Sequence, residues 1–151
     1  MRKLARNKII SSYIIYVNID VKEFVVSKRN SVFRSFEYAG NGVRTAFQNE
    51  PNFRVHVIAG GISVVLAILL KFSFIKFAIL ILTITLVIIL ELINTAIEKI
   101  VDRISPNYSR LAKMAKDVSA AAVLLSAFAA ILVGLLLFLP EILPLLSSLI
   151  H

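Results

Sequence analysis

From Phe77 to Leu90 the chain carries no charged side chain. The apolar run containing this stretch, FIKFAILILTITLVIILELINTAIEKIVD, is long enough to cross a bilayer and runs into Glu91, Asn94, Glu98 and Asp102. A carboxylate attached to such a segment is costly and needs a reason to be there. At about 100° per residue, Glu91, Thr95, Glu98 and Asp102 fall in one narrow helical stripe with Asn94 on its flank. That stripe must face a neighbouring helix, another subunit or a water-filled pocket.

Other apolar stretches of similar length, in 151 residues of which 58% are hydrophobic, make this an integral membrane protein and exclude a water-soluble globular domain. There is no cysteine, so disulfides, thiolate metal sites and cysteine nucleophiles are excluded. The only histidines are His56 and His151, too few for a histidine-rich metal cluster. The net charge of +8 sits beside apolar spans without interleaved aromatics, which points to an anionic lipid surface and not to nucleic acid.

The pattern predicts an all-α membrane protein with three transmembrane helices and an N-terminal amphipathic surface helix. Residues 1–29 begin basic, but their apolar part is interrupted by Asn18, Asp20, Lys22 and Glu23 and lacks a small-residue cleavage pattern, so they read as a surface-associated or poorly ordered appendage of unknown role. Over residues 31–48, Val32, Phe33, Phe36, Val43 and Phe47 oppose Arg34, Glu37, Asn41 and Arg44 on an interfacial helix, with Gly40 and Gly42 expected to loosen it. A turn follows at residues 49–52, where Pro51 holds Glu50 away from helical geometry.

Spans are expected over residues 56–70, 74–97 and 118–139, with the second helix ending at Ser105 and Pro106. Residues 30–140 thus form the membrane domain. Pro140 and Pro144 are expected to break up an interfacial tail over residues 141–151.

Ten of the 17 lysines and arginines precede His56, two lie between the first and second spans, and five between the second and third. The positive-inside rule then places the N-terminus and the second connection in the cytoplasm, so Glu50 and the region 91–117 reach that membrane face. Glu91 and Glu98 are seven residues apart, a rise of about 10 Å, too far to share one small ion easily. The deeper Glu91 is suited to take a proton from a lipid hydroxyl. The shallower Glu98, with Glu50 returning from the turn, is suited to hold Mg²⁺. Lys116 and Asp117 open the third span on the same side, adding a cation for phosphate and another acid. The same residue types fit cation or proton transport about as well, and a purely structural polar seam less well.

ELINTAIEKIVD, preceded by FQNEPNFRVH and followed by AKDVSAAAVLL, resembles the small prokaryotic lipid kinases, the diacylglycerol kinase and undecaprenol kinase family. The resemblance covers residues 31–139. It implies a homotrimer in the bacterial inner membrane with active sites between subunits, transferring the ATP γ-phosphate to a lipid hydroxyl. It further implies that Glu91 is the general base, that Glu50 and Glu98 are metal ligands, and that Asn94 is an amide beside the reacting groups. Tyr38, Lys116 and Asp117 would contact nucleotide, as would Asn107, Tyr108 and Ser109, while Asp102 supports. Where the diacylglycerol kinase branch has an arginine, this chain has Ser31, with Arg29 or Arg34 as replacement. AKDVSAAAVLL and the FLP ending at Pro140 look more like the undecaprenol kinase branch.

Several motifs have plainer readings. His56 reads as an interfacial histidine, Gly60 and Gly61 as close helix contacts, and Lys116 with Asp117 as a helix-start charge pair. GNGVRT is a poor phosphate loop, and the triplet Asn107 to Ser109 is an accidental glycosylation match on the cytoplasmic side. There is no Walker A or protein-kinase signature, so any nucleotide is held by metal and scattered side chains.

Overall fold

The structure, a computed structural model, describes residues 32–150 apart from Pro106 and Tyr108. The expected appendage, Arg29, Ser31 and Tyr108 lie outside the described residues. Four helices follow in order: α1 Val32–Asn49, α2 Pro51–Leu69, α3 Phe74–Ile104 and α4 Arg110–Ile150. No strand occurs among the described residues. Helices α2, α3 and α4 are long and apolar enough to cross a membrane, as expected.

The chain divides into two compact units at Asn41 and Gly42, within α1. In the first, Val32, Phe36 and Tyr38 are exposed. Helix α1 runs unbroken through Gly40 and Gly42, so the expected loosening does not interrupt it.

In the second unit α3 is the central helix, packing against α2 on one side and more extensively against α4 on the other. Leu80, Val87, Glu91 and Asn94 form its buried stripe, apolar at one end and polar at the other. Gly60 of α2 lets the two backbones approach: a Cβ built there would stand 2.8 Å from Ile84 Cγ2. Gly61 faces open space, so only the first glycine is a helix contact.

The turn between α2 and α3 closes with Phe72 N–H donating to the Ala67 carbonyl and Lys71 N–H to that of Ile68, both at 3.0 Å. This Schellman arrangement puts Lys71 at φ 55°, where glycine is usual. Phe72 then packs on the core of Ala67, Leu80 and Leu137, joined by Phe138.

Two boundaries correct the sequence reading. Helix α4 begins at Arg110, before the apolar stretch, because Ser109 caps it: its Oγ accepts from Ala112 N–H at 3.5 Å. Lys116 and Asp117 therefore lie in the second turn and do not open the helix. At the other end α4 continues through Pro140 and Pro144 to Ile150 where breaks were expected. Lys76 donates to Glu141 at 2.6 Å, and the rings of Phe72 and Phe138 lie 4.8 Å apart, holding the helix across the first proline. Helical backbone is also the form that satisfies peptide groups in lipid, which makes proline tolerable there.

Candidate active site

Glu50 is fixed by the junction it occupies. Its N–H donates to the Ala46 carbonyl at 2.8 Å, closing α1, while its own carbonyl accepts from Arg54 at 3.3 Å, opening α2. Pro51 holds it extended, at φ −109° and ψ 109°, as the sequence predicted. One residue separates two helices, so the carboxylate has little freedom of placement. Its Oε1 lies 2.9 Å from Lys99 Nζ, yet that oxygen is buried without an aligned hydrogen-bond donor.

Along α3 the polar stripe becomes more accessible in steps. Glu91 is 2% exposed and Asn94 8%. Glu98 is half-buried and Asp102 exposed. Helical rise carries each successive group toward water, so one face presents a deep carboxylate and shallow ones. Glu50, Glu98 and His56 all lie within electrostatic reach of Glu91. His56, read from sequence as an interfacial residue, is half-buried on α2.

A side-chain relay joins α4 to this stripe. Ser119 Oγ donates to Asn94 Oδ1 at 2.7 Å, and Asn94 Nδ2 donates to Glu98 Oε1 at 3.2 Å. Ser119 was not singled out in the sequence, although a hydroxyl three residues after Lys116 at the mouth of an alanine-rich span is a legible signal.

Where α3 gives way to α4, Asp102, Ser105, Asn107, Ser109, Lys113, Lys116 and Asp117 line an open cleft of about 310 Å³. Lys116 bridges it, donating to both oxygens of Asp102 at 3.0 and 3.3 Å. Asp117 pairs with Lys113 at 2.6 Å. The expected Lys116–Asp117 charge pair is thus replaced by two pairs with other partners, because residues one apart on a helix point in different directions. Sequence reasoning missed Lys113.

The structure therefore brings Asp102, Asn107, Ser109, Lys116 and Asp117 to one cleft, and Glu50, Glu91, Asn94 and Glu98 to one electrostatic neighbourhood. Tyr38 stands in the other unit.

The comparisons with known proteins decide the family. The prokaryotic diacylglycerol kinase family matches residues 37–138. The chain belongs to the prokaryotic diacylglycerol kinase family. Members of the prokaryotic diacylglycerol kinase family are lipid kinases by name. The chain is 49% identical to a Synechocystis diacylglycerol kinase over 112 residues, 74% of this chain and 64% of the relative, just under two thirds of that protein's length. It is 40% identical to the Bacillus subtilis undecaprenol kinase over 75% of this chain and 92% of that protein. Identity to an Escherichia coli diacylglycerol kinase is 38%, over 67% of this chain and 83% of the relative.

Among the described residues no three acidic or histidine side chains converge into a ready metal cage. Kinase-type Mg²⁺ binding needs only one or two carboxylates, the nucleotide phosphates supplying the rest. Glu50, with a buried oxygen lacking an aligned donor, and half-buried Glu98 fit a metal that arrives with nucleotide.

Proposed function

We propose that the kinase domain, residues 30–140, transfers the γ-phosphate of ATP to the hydroxyl of a membrane lipid, undecaprenol or diacylglycerol, in phospholipid or cell-envelope lipid recycling. The observation that carries this reading is the accessibility gradient of the α3 stripe, from Glu91 at 2% exposure to exposed Asp102. It suits a reaction whose acceptor lies in the bilayer and whose donor lies in water.

The lipid oxygen bonds to the γ-phosphorus as the bond to the β–γ bridging oxygen breaks and ADP leaves. Glu91 takes the hydroxyl proton. Glu50 and Glu98 hold Mg²⁺, which when bound offsets phosphate charge. Asn94, fixed by Ser119, orients Glu98. Lys116 exchanges Asp102 for a phosphate oxygen, Asp102 otherwise holding its side chain across the cleft. Asp117, Asn107, Tyr108 and Ser109 serve the rest of the nucleotide, and the family resemblance adds Tyr38 of α1 as a nucleotide contact.

The distribution of lysine and arginine supports a multi-pass protein of the bacterial inner membrane whose active site faces the cytoplasm. Most of the apolar surface of α2, α3 and α4 is uncovered within one chain, which suits lipid and further copies of the chain, and the family resemblance makes the assembly a homotrimer.

The test is ATP-dependent lipid phosphorylation in bilayers with both lipids. Glu91→Gln should lower kcat by roughly 10²- to 10⁴-fold, the range for a general base, with little change in KM for Mg·ATP. Wild-type turnover in that variant would refute the base assignment.

A further inference from the structure

The carboxylate proposed to hold the metal already carries a cation from the chain itself. Lys99 Nζ stands 2.9 Å from Glu50 Oε1, with side-chain exposures of 64% and 18%. The oxygen is buried and has no other polar partner, so Lys99 is the group that a metal would have to displace. Such a contact yields readily to a harder, doubly charged ion. Glu98 and Asp102 also act electrostatically on Lys99, so its ammonium stands in the field of three carboxylates. The two lysines of the neighbouring cleft are held elsewhere, Lys116 on Asp102 and Lys113 on Asp117. Lys99 itself follows Glu98 directly in sequence and is largely solvent-exposed, so its stem can swing without disturbing packing.

We propose that Lys99 belongs to the metal–nucleotide site: it neutralises Glu50 before metal binds, then moves its ammonium to the phosphates when a divalent cation takes that carboxylate. The inference rests on the reading of Glu50 as a metal ligand. The physical logic is an exchange of partners. Before metal binds, Lys99 offsets repulsion among Glu50, Glu91 and Glu98. Once displaced, its charge is left beside the polyanion that the metal brings, where an ammonium acts as a compact point charge for phosphate.

The exchange gives Lys99→Gln two opposite effects, which a merely structural role would not produce. Mn²⁺ alone, followed by loss of the free-ion paramagnetic resonance signal with the full-length protein in detergent, should bind about threefold to fivefold tighter, the range an exposed ion pair supports. KM for Mg·ATP should rise by a similar factor. Lys99→Arg should stay near wild type in both. If Lys99→Gln binds Mn²⁺ no tighter, or leaves KM for Mg·ATP unchanged, the inference is overturned. Glu50→Gln separates the two readings. Wild-type Mn²⁺ affinity in that variant removes Glu50 from the metal site and takes the proposed function's ligand assignment with it. Lost Mn²⁺ binding there, with Lys99→Gln unchanged, overturns the role of Lys99 alone.

Discussion

A hydroxyl with two acceptors in reach gives its one proton to one of them at a time. Ser119 has Asn94 Oδ1 at 2.7 Å and the Lys116 carbonyl at 2.9 Å. The shorter contact joins α4 to the amide that serves Glu98, and both Ser119 and Asn94 are buried, so no water replaces the bond easily. Ser119→Ala removes a net contribution of about 1 kcal/mol and leaves a buried amide oxygen unmatched. Turnover should fall roughly fivefold on that scale while the protein keeps its helical circular dichroism and its oligomeric state. Wild-type turnover in Ser119→Ala would mean that Asn94 needs no positioning. The two acids of the cleft differ in a related way: Asp102 is reached from fourteen residues away, whereas Asp117 is served four residues from its lysine on the same helix.

At the level of elements, the polar stripe was legible because helical periodicity alone puts Glu91, Asn94, Glu98 and Asp102 on one side. The turn at Pro51 was legible for a similarly local reason: proline restricts the residue before it. The partners of Lys116 and Asp117 were not, since they depend on where α4 starts and how it registers against α3. That start was misplaced because apolarity marks the part of a helix in lipid, whereas the helix itself extends to its cap at Ser109. The prolines near the end of α4 misled for the converse reason, a local breaker overridden by the tertiary contacts of Glu141 and Phe138. Neighbouring glycines on α2 make the same point testable. Gly60→Ala places a methyl 2.8 Å from Ile84 Cγ2 and should destabilise by about 1–3 kcal/mol, whereas Gly61→Ala meets nothing and should be neutral or slightly stabilising. Thermal unfolding in detergent compares them; equal melting temperatures would show that α2 and α3 part freely at this level.

At the level of the membrane unit, the chemistry and the clamp occupy opposite ends of the central helix. Lys76 and Glu141 pair near the start of α3, while Glu91 to Asp102 gather near its finish. Lys76→Ala should therefore lower stability by about 1 kcal/mol, appropriate to a pair about one-third exposed, with KM for Mg·ATP unchanged. A shifted KM, measured at saturating lipid, would mean that the two ends communicate through α3. Between those ends, Glu91 lies on the buried stripe of α3, while Ile89 and Ile93, two residues away on either side, fall on the opposite face with nearly half their surface uncovered. On the proposed reading the acceptor is a membrane lipid, so its path to the deep carboxylate is lateral diffusion within the leaflet. The quantity that sets acceptor saturation is then its mole fraction in the surrounding membrane or micelle, not its amount per litre, and adding inert detergent dilutes the substrate even when the solution volume is unchanged.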